Sequence, residues 1–194
     1  MKTCIAHLKS AAPLSQSAFI DPDLKKPKET HADFEKRIWR EKAHKTDDGE
    51  VFIPPMAFKQ ALDAAAKYLS IQIPGRGKAT YTKHFVSGVL CFKPVKLGIQ
   101  SDDVKPNEVL CNADGVRGSG KRVMRIFPEI PSWSATVEFT ILDDTITEDI
   151  FLRVLKEAGQ LIGVGQFRPQ NGGYKGRWIV EGWEWIESDQ AEAA

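Results

Sequence analysis

The sequence predicts an α+β domain in which two main helices pack on an antiparallel sheet and long loops are inserted between the elements. Two segments have the apolar spacing of amphipathic helices: residues 56–69 and the segment that begins near Thr147. Short β-branched and aromatic segments precede, separate and follow them. Strand, helix, strands, helix, strand is the order of the split β-α-β arrangement. We therefore expect a ferredoxin-like fold of the type found in RNA-recognition modules, which leave one sheet face free.

The bulk composition is that of a soluble globular protein. The chain has 194 residues, a net charge of +1, and 42% hydrophobic and 27% charged residues, which fits one domain. No apolar run approaches the roughly 18 residues of a membrane span, and the run at residues 4–8 is too short for a signal peptide. Scattered Cys4, Cys91 and Cys111 favour a reducing compartment, so we expect a cytoplasmic protein without a membrane partner.

We expect one domain at residues 1–188 and a flexible acidic tail at 189–194. Its inserted segments are an arm at 9–49, a finger at 74–84 and a basic loop at 112–121. The first strand is predicted at residues 2–8, and the Pro- and Ser-rich residues that follow it predict a long loop.

The first half of the chain contains one ambiguous segment and one clear helix. Residues 33–42 have apolar side chains at helical spacing and predict either a short helix or an extended arm with two anchors. A short strand at Glu50–Ile53 precedes Pro54-Pro55, and proline suits the first helical turn. The helix 56–69 buries a stripe that includes Phe58 and Leu62, and we expect Lys59, Asp63 and Lys67 to face outward.

The second half is predicted to be mostly strands. Residues 75–84 are basic, contain glycine and predict a loop. The predicted strands are residues 85–92, 95–99, 109–111, 122–127, 134–142 and 177–186. Pro128 and Pro131 suggest that the strands 122–127 and 134–142 form a hairpin with a wide connection. Either Thr145 or Thr147 is expected to cap the second helix, and Trp183 and Trp185 are expected in the core.

The charges are segregated along the chain. No Asp or Glu occurs at residues 64–101, 115–128 or 158–180, although each window holds several Lys and Arg. Acids concentrate at 143–149 and 181–192. This distribution predicts one basic and one acidic face on a nearly neutral protein.

Residues 159–178 combine glycine, cations and aromatic rings. Glycine allows positive φ and close approach of the backbone to a ligand, while Phe167, Tyr174 and Trp178 offer flat faces. These are the groups that hold a phosphodiester backbone and stack bases. The alternative interpretation is a simple glycine-rich turn between a helix and a strand.

Other motifs do not support catalysis. Gly115–Lys121 matches GxxxxGK, but Arg122 stands where a P-loop needs Ser or Thr, and no helix is predicted after it. The four histidines are far apart in sequence, no CxxC pair occurs, and no nucleophile–His set can be argued from spacing. We therefore predict a protein that is not an enzyme and needs no cofactor or metal.

Two segments resemble the RAMP superfamily, whose members form the backbone of CRISPR effector complexes. Residues 50–61, EVFIPPMAFKQA, resemble its strand-into-helix entry, and residues 163–177 resemble its glycine-rich loop before the last strand. Pro55 and Met56 stand where the superfamily usually has Gly or Ser, and the loop is longer and more polar. The resemblance implies a modified ferredoxin-like palm, a strand-facing Lys59 and loop 163–177, an inserted finger at 75–84, and repeated subunits along one strand.

The chain is also similar to a family of small bacteriophage-encoded proteins, through FEKRIWREK, GKATYTKHF, GKRV and FRPQNGGYKGR. This similarity places the protein in the bacterial host cytoplasm. It implies a role in phage replication or recombination, or in interference with CRISPR complexes.

These observations predict a protein that binds single-stranded DNA or RNA and oligomerises head to tail along the strand, with CRISPR effector subunits as further partners. The residues expected at the nucleic acid are Lys59, Arg76, Lys78, Tyr81, Lys83, His84, Arg117, Lys121, Arg122, Phe167, Arg168, Tyr174, Lys175 and Arg177. The acidic face would join subunits, and the arm would reach a neighbour.

Two other functions remain open. One is a protein-interaction factor, such as an anti-CRISPR protein that imitates a backbone subunit. The other is a metal-dependent nuclease that uses Asp143 or Asp144, although a turn before the helix is the preferred role for this pair.

Overall fold

The computed structural model describes residues 1–113, 118 and 120–187. Within these residues the strands form three antiparallel sheets. The strands are β1 (Lys2–Ser10), β2 (Leu14–Ser15), β3 (Glu50–Ile53), β4 (Val89–Leu90), β5 (Val95–Gln100), β6 (Lys105–Asn112), β7 (Arg122–Ile130), β8 (Ser134–Ile141) and β9 (Trp178–Glu187). The α-helices are α1 (His31–Ile38), α2 (Pro55–Leu69), α3 (Thr82–Gly88) and α4 (Glu148–Glu157).

The largest sheet has the strand order β4-β8-β1-β9, and every neighbouring pair is antiparallel. β1 lies inside it, with Cys4 opposite Phe139 on one side and Trp185 on the other. Successive residues of a strand point to opposite faces, and on one face Ala6 and Val137 are fully buried. The predicted alternation in residues 134–142 is confirmed.

Helices α2 and α4 bury their apolar stripes against this sheet. Phe151 of α4 meets Phe139 of β8 with ring centroids 5.4 Å apart and Trp185 of β9 at 5.8 Å. Phe58 of α2 meets Trp178 edge-on at 5.5 Å. The predicted helix 56–69 is thus confirmed, with a start one residue earlier.

The second main helix begins without a side-chain cap. Thr147 occupies the N-cap position but makes no capping hydrogen bond. Instead, the Asp143 carboxylate accepts the Thr145 backbone N–H at 2.8 Å and shapes the turn before α4. The capping box expected from Thr145 is therefore wrong. The N-cap position expected for Thr147, with Glu148 and Asp149 in the first turn, is confirmed without a side-chain hydrogen bond, and Asp143 has the preferred turn role.

The hairpin is formed by a different pair of strands from the one predicted. β7 pairs with β6 from Glu129 opposite Lys105 to Arg122 opposite Asn112, and it also pairs with β2. β8 belongs to the large sheet. The predicted hairpin of 122–127 with 134–142 is wrong because the chain changes sheets between them, at a connection where Trp133 is buried.

The amino-terminal arm folds back on its own domain. Thr30 caps α1 by accepting the Asp33 N–H at 3.1 Å, and a 3₁₀ turn at Trp39–Lys42 extends the helix. Both elements pack against β7. Of the two alternatives for residues 33–42, the short helix is confirmed and the extended arm is wrong. β3 and β5 form a separate two-stranded ribbon.

The first half of the predicted strand 85–92 is helix. α3 continues to Gly88, and only Val89–Leu90 pairs with β8. In this helix the Lys59 ammonium donates to the backbone carbonyls of Phe85 and Val86, both at 3.0 Å. A cation at the last carbonyls of a helix satisfies groups that have no intrahelical partner.

Two orientation predictions are also corrected. Lys59 does not face outward: it is buried and forms an ion pair with Asp63 one turn along α2. Trp183 is 41% exposed and donates to Glu148, whereas Trp185 packs partly buried against the core.

The cysteines are free, and two of them lie in the core. Burial raises the pKa of Cys4 to about 12 and that of Cys91 to about 11, so neither thiol is a reactive thiolate at neutral pH. Among the described residues, no helix is long and apolar enough to cross a membrane.

Lys59→Ala is expected to destabilise the protein by about 2–4 kcal/mol, because it leaves Asp63 and two carbonyls without their donor. Chemical denaturation would measure this, with Lys67→Ala, an exposed change on the same helix, as the control. Equal denaturation midpoints for the two variants would contradict the assigned role of Lys59.

Candidate nucleic-acid interface

The glycine-rich loop, residues 163–177, folds tightly on itself. The Val164 N–H donates to the Gly176 carbonyl at 3.0 Å. A Cβ added at Gly173 would lie 1.9 Å from the Phe167 carbonyl oxygen, and one at Gly176 would lie 1.8 Å from that of Val164. The glycines at these two positions are required by contacts within the chain, which corrects the expectation that they serve the approach of a ligand.

The loop is fixed against the start of the chain. The Gln166 N–H donates to the Ser15 carbonyl at 2.7 Å, and the Gly176 N–H donates to the Pro13 carbonyl at 2.8 Å. Because Ser15 belongs to β2, which pairs with β7, the loop lies beside the β6–β7 hairpin. Phe167, held at a φ of +58°, packs edge-on against Phe127 of β7 at 5.3 Å.

Three residues predicted at the nucleic acid are buried. Lys175 is 5% exposed and its ammonium pairs with Glu129, while Tyr81 is 5% exposed and Lys59 is 6% exposed. A buried ammonium that is already paired cannot meet a phosphate without losing its partner. We therefore remove these three residues from the surface that could contact a strand.

Other predicted residues remain available beside the loop. Tyr174 is 60% exposed, Arg177 is exposed, and Arg168 is half-buried with its side chain donating to Gln170. Lys121 and Arg122 are exposed near the end of the hairpin. Arg117 lies outside the described residues, as does part of the basic loop predicted at 112–121.

The hairpin and the loop enclose a groove of about 470 Å³, which we call the hairpin groove. Its walls include Arg122 and Arg125 from β7 and the rings of Phe127 and Phe167. Among the described residues of this lining there is no carboxylate. Two aromatic rings and two guanidinium groups are present, and the Arg125 guanidinium also pairs with Glu35 behind the groove. This combination suits a phosphate backbone with unstacked bases.

Arg125 is positioned by a buried charge network. The Glu35 carboxylate of α1 accepts Arg125 Nη1 at 2.8 Å, Lys42 Nζ at 2.6 Å and the Ile126 N–H at 3.0 Å. Lys42 also donates to the Ile126 carbonyl at 2.8 Å. Burial by itself would raise the pKa of Glu35, but these donors outweigh it and hold the pKa below its usual value.

The basic finger lies away from the hairpin groove. Arg76 and Lys78 occupy an exposed turn beyond the carboxyl end of α2, while Pro54 and Ala57 at the other end of α2 lie beside Arg168. At 1.5 Å per residue, the helix between them is roughly 20 Å long. The structure thus separates the finger cations Arg76 and Lys78 from Arg168 of the glycine-rich loop.

His84 has a local partner in the same region. Its Nδ1 lies 2.6 Å from the Asp143 carboxylate, and Lys83 beside it is exposed. Partial burial would raise the pKa of Asp143, but the hydrogen bonds from His84 and Thr145 lower it overall. Both Asp143 oxygens are therefore engaged, and no group of three metal-binding side chains occurs among the described residues.

The open face of the large sheet has mixed charge. Lys93 pairs with Glu138 at 2.6 Å and Lys9 with Glu181 at 3.1 Å across this face. Such paired charges favour the hairpin groove, rather than the free sheet face, as the place for a polyanion.

One residue of the hairpin groove, Arg125, was not among the predicted nucleic-acid contacts. Arg125 falls inside the acid-free window 115–128, so the charge pattern already contained its signal.

Comparisons with known proteins show which solved structures share the fold of this chain. No protein-family model matches the sequence, and no curated protein matches it. The crystal structure of Cmr6 from Pyrococcus furiosus is similar over 93% of this chain and 99% of that chain, with a TM-score of 0.50 and 12% identity. The fold is RAMP-like.

A second structure agrees. It is a chain from the cryo-EM structure of the Type III-B Cmr-beta bound to cognate target RNA, with a TM-score of 0.52 and 11% identity. The match covers 96% of this chain and 61% of that chain. The RAMP-like fold expected from residues 50–61 and 163–177 is confirmed, as a mixed α/β fold with antiparallel sheets.

Glu35→Gln is expected to cost about 2–4 kcal/mol of unfolding free energy at pH 7, because Lys42 and Arg125 lose a buried counter-charge. Since the folded-state pKa of Glu35 is lowered, its contribution is present above the ordinary value of about 4.3 and is lost as pH falls through the folded pKa. The difference in unfolding free energy between wild type and variant should therefore become smaller at acidic pH.

Denaturant titrations at pH 7 and at acidic pH would measure this gap. Glu41→Gln is the matched control, because Glu41 lies in the adjacent 3₁₀ turn and pairs with Lys45 at the surface. If the difference in unfolding free energy stayed the same at both pH values, the charge of Glu35 would not be what stabilises the packing of the arm on β7.

Proposed function

We propose that this protein binds single-stranded nucleic acid in the hairpin groove, in a CRISPR-related role. The observation that supports this most is the meeting of Arg122, Arg125, Phe127 and Phe167 in one groove, whose described lining residues include no carboxylate. The RAMP-like fold adds support, since one structural neighbour is a complex described as bound to target RNA.

Within the proposed interface the residues divide by chemistry. Lys121, Arg122, Arg168 and Arg177 would contact phosphates, and Phe167 and Tyr174 would stack with bases. Arg117 stays in the phosphate-binding set as a prediction.

The finger would form a second contact farther along the strand, through Arg76, Lys78 and Lys83, with His84 beside them. With this arrangement one subunit would contact several successive nucleotides of the strand.

We also propose that the large sheet and its two helices form a ferredoxin-like unit. If only β1, α2, β4, β8, α4 and β9 are counted, the chain order is β-α-β-β-α-β. The antiparallel order β4-β8-β1-β9 supports this assignment.

Head-to-tail oligomerisation along the strand is part of the proposal. The two acidic stretches meet in space, because Glu148 accepts the Trp183 indole N–H at 2.7 Å and Asp144 pairs with Lys2 at 3.6 Å, beside Glu187 on β9. An acidic face here and a basic groove elsewhere would attract neighbouring copies. The arm would contribute only its outer part, since α1 is fixed to β7. We place this assembly in the bacterial cytoplasm.

Arg122→Ala and Arg168→Ala are each expected to weaken binding to single-stranded RNA or DNA about tenfold, or about 1.4 kcal/mol. Each should also reduce the slope of log affinity against log salt by about 1, because one phosphate contact is lost. Fluorescence anisotropy with labelled strands at low and high salt would measure both effects.

Arg153→Ala, an exposed change on α4, is the matched control and should leave affinity unchanged. Sizing of the mixtures tests assembly, and the complexes should grow with strand length. Absence of binding to either strand at low salt would contradict the proposed function and would favour a protein-interaction factor, to be sought by pull-down.

A further inference from the structure

A second cavity adjoins the hairpin groove. It has a volume of about 460 Å³ and lies between the amino-terminal arm and β7. It shares Arg125, Phe127 and Gln166 with the lining of the groove, so a strand lying in the groove passes its mouth. We call it the arm pocket.

The walls of the arm pocket suit a flat, apolar ring. Phe34 and Ile38 from α1 line one side, and Phe127 from β7 lines another. Ile38 is 4% exposed and Phe127 is 7% exposed, so these walls are part of the packed structure. The volume falls within the roughly 300–1,000 Å³ of small-molecule sites.

The buried charges of the lining do not suit a phosphate. Glu35 and Lys42 already satisfy each other at 2.6 Å, whereas Lys25 and His31 line the pocket from more exposed positions. Lys42 also donates to a backbone carbonyl, and its ammonium lies 4.8 Å from the centre of the Phe127 ring. An anion would have to compete with the Glu35 carboxylate, whereas a neutral ring would not.

The rim of the arm pocket offers polar groups that recognise base edges. The Gln166 side chain lines it and makes no hydrogen bond within the described part of the chain. The Arg125 guanidinium has further N–H groups beyond the one given to Glu35. Arginine and glutamine are the side chains that form paired hydrogen bonds with purine edges.

We propose that the arm pocket accepts one unstacked nucleobase of the bound strand, and that a purine fits it best. This proposal rests on the proposed function and deepens it, because it adds base recognition to an otherwise charge-driven interface. Capture of one base between aromatic walls should strengthen binding about 5- to 150-fold.

The test uses two synthetic 12-nucleotide strands. One consists of abasic residues only, and the other has a single guanine in the middle. Wild-type protein should bind the guanine strand at least fivefold more tightly than the abasic strand, as measured by anisotropy at low salt. The gain reports the base alone, because both strands carry the same phosphates.

Ser17→Trp is designed to fill the arm pocket, since Ser17 is exposed and lines it. This variant should lose the gain from guanine and keep its affinity for the abasic strand. Thr136→Trp places the same indole on the exposed face of the large sheet. This control should keep both the gain from guanine and the affinity for the abasic strand.

The outcomes separate the two proposals. If wild type binds the abasic strand but gains nothing from guanine, or if Ser17→Trp keeps the full gain, the arm pocket is not a base site and the proposed function stands. If wild type binds neither these strands nor natural ones, both proposals fail.

Discussion

The buried carboxylate of Glu35 connects parts of the chain that are far apart in sequence. It accepts hydrogen bonds from Lys42 in the 3₁₀ turn and from Arg125 and Ile126 in β7. Because a buried charge is tolerated only when its partners are present, α1, the turn and β7 must be assembled together. The hairpin groove and the arm pocket both use Arg125, so the geometry of both depends on this one interaction.

The glycine-rich loop illustrates how one composition allows two explanations. Glycine beside cations and aromatic rings resembles a surface shaped for a ligand, yet the backbone of Phe167 and Val164 occupies the space that side chains at Gly173 and Gly176 would need. The loop is therefore a compact support that presents Tyr174 and Arg168. The ammonium of Lys175 in this loop already forms an ion pair with Glu129. A rigid support of this kind reduces the ordering cost of binding.

The distribution of free cations favours a tracking surface over a single anion site. Lys42, Lys59 and Lys175 are buried and paired. Other exposed cations lie at the end of the hairpin, beside the loop and on the finger, and the length of α2 separates Arg76 and Lys78 of the finger from Arg168 of the loop. Spaced cations match the repeated phosphates of an extended strand.

The sequence by itself determined the two main helices, most strands, the segregation of charge and the resemblance to a RAMP-like fold. These features could be predicted because periodicity and local composition depend only on residues that are close together in the chain. It could not decide which cations are free. Lys59 sits at an ordinary helix position, and only the packing of α3 against α2 makes it an internal donor. The helix found at residues 85–88, where a strand was predicted, likewise packs against α2 and receives the Lys59 ammonium at its last carbonyls. The hairpin partner of β7, the return of the arm and the arm pocket were likewise decided by tertiary structure, since each depends on contacts between residues that are distant in the chain, such as Glu35 and Arg125.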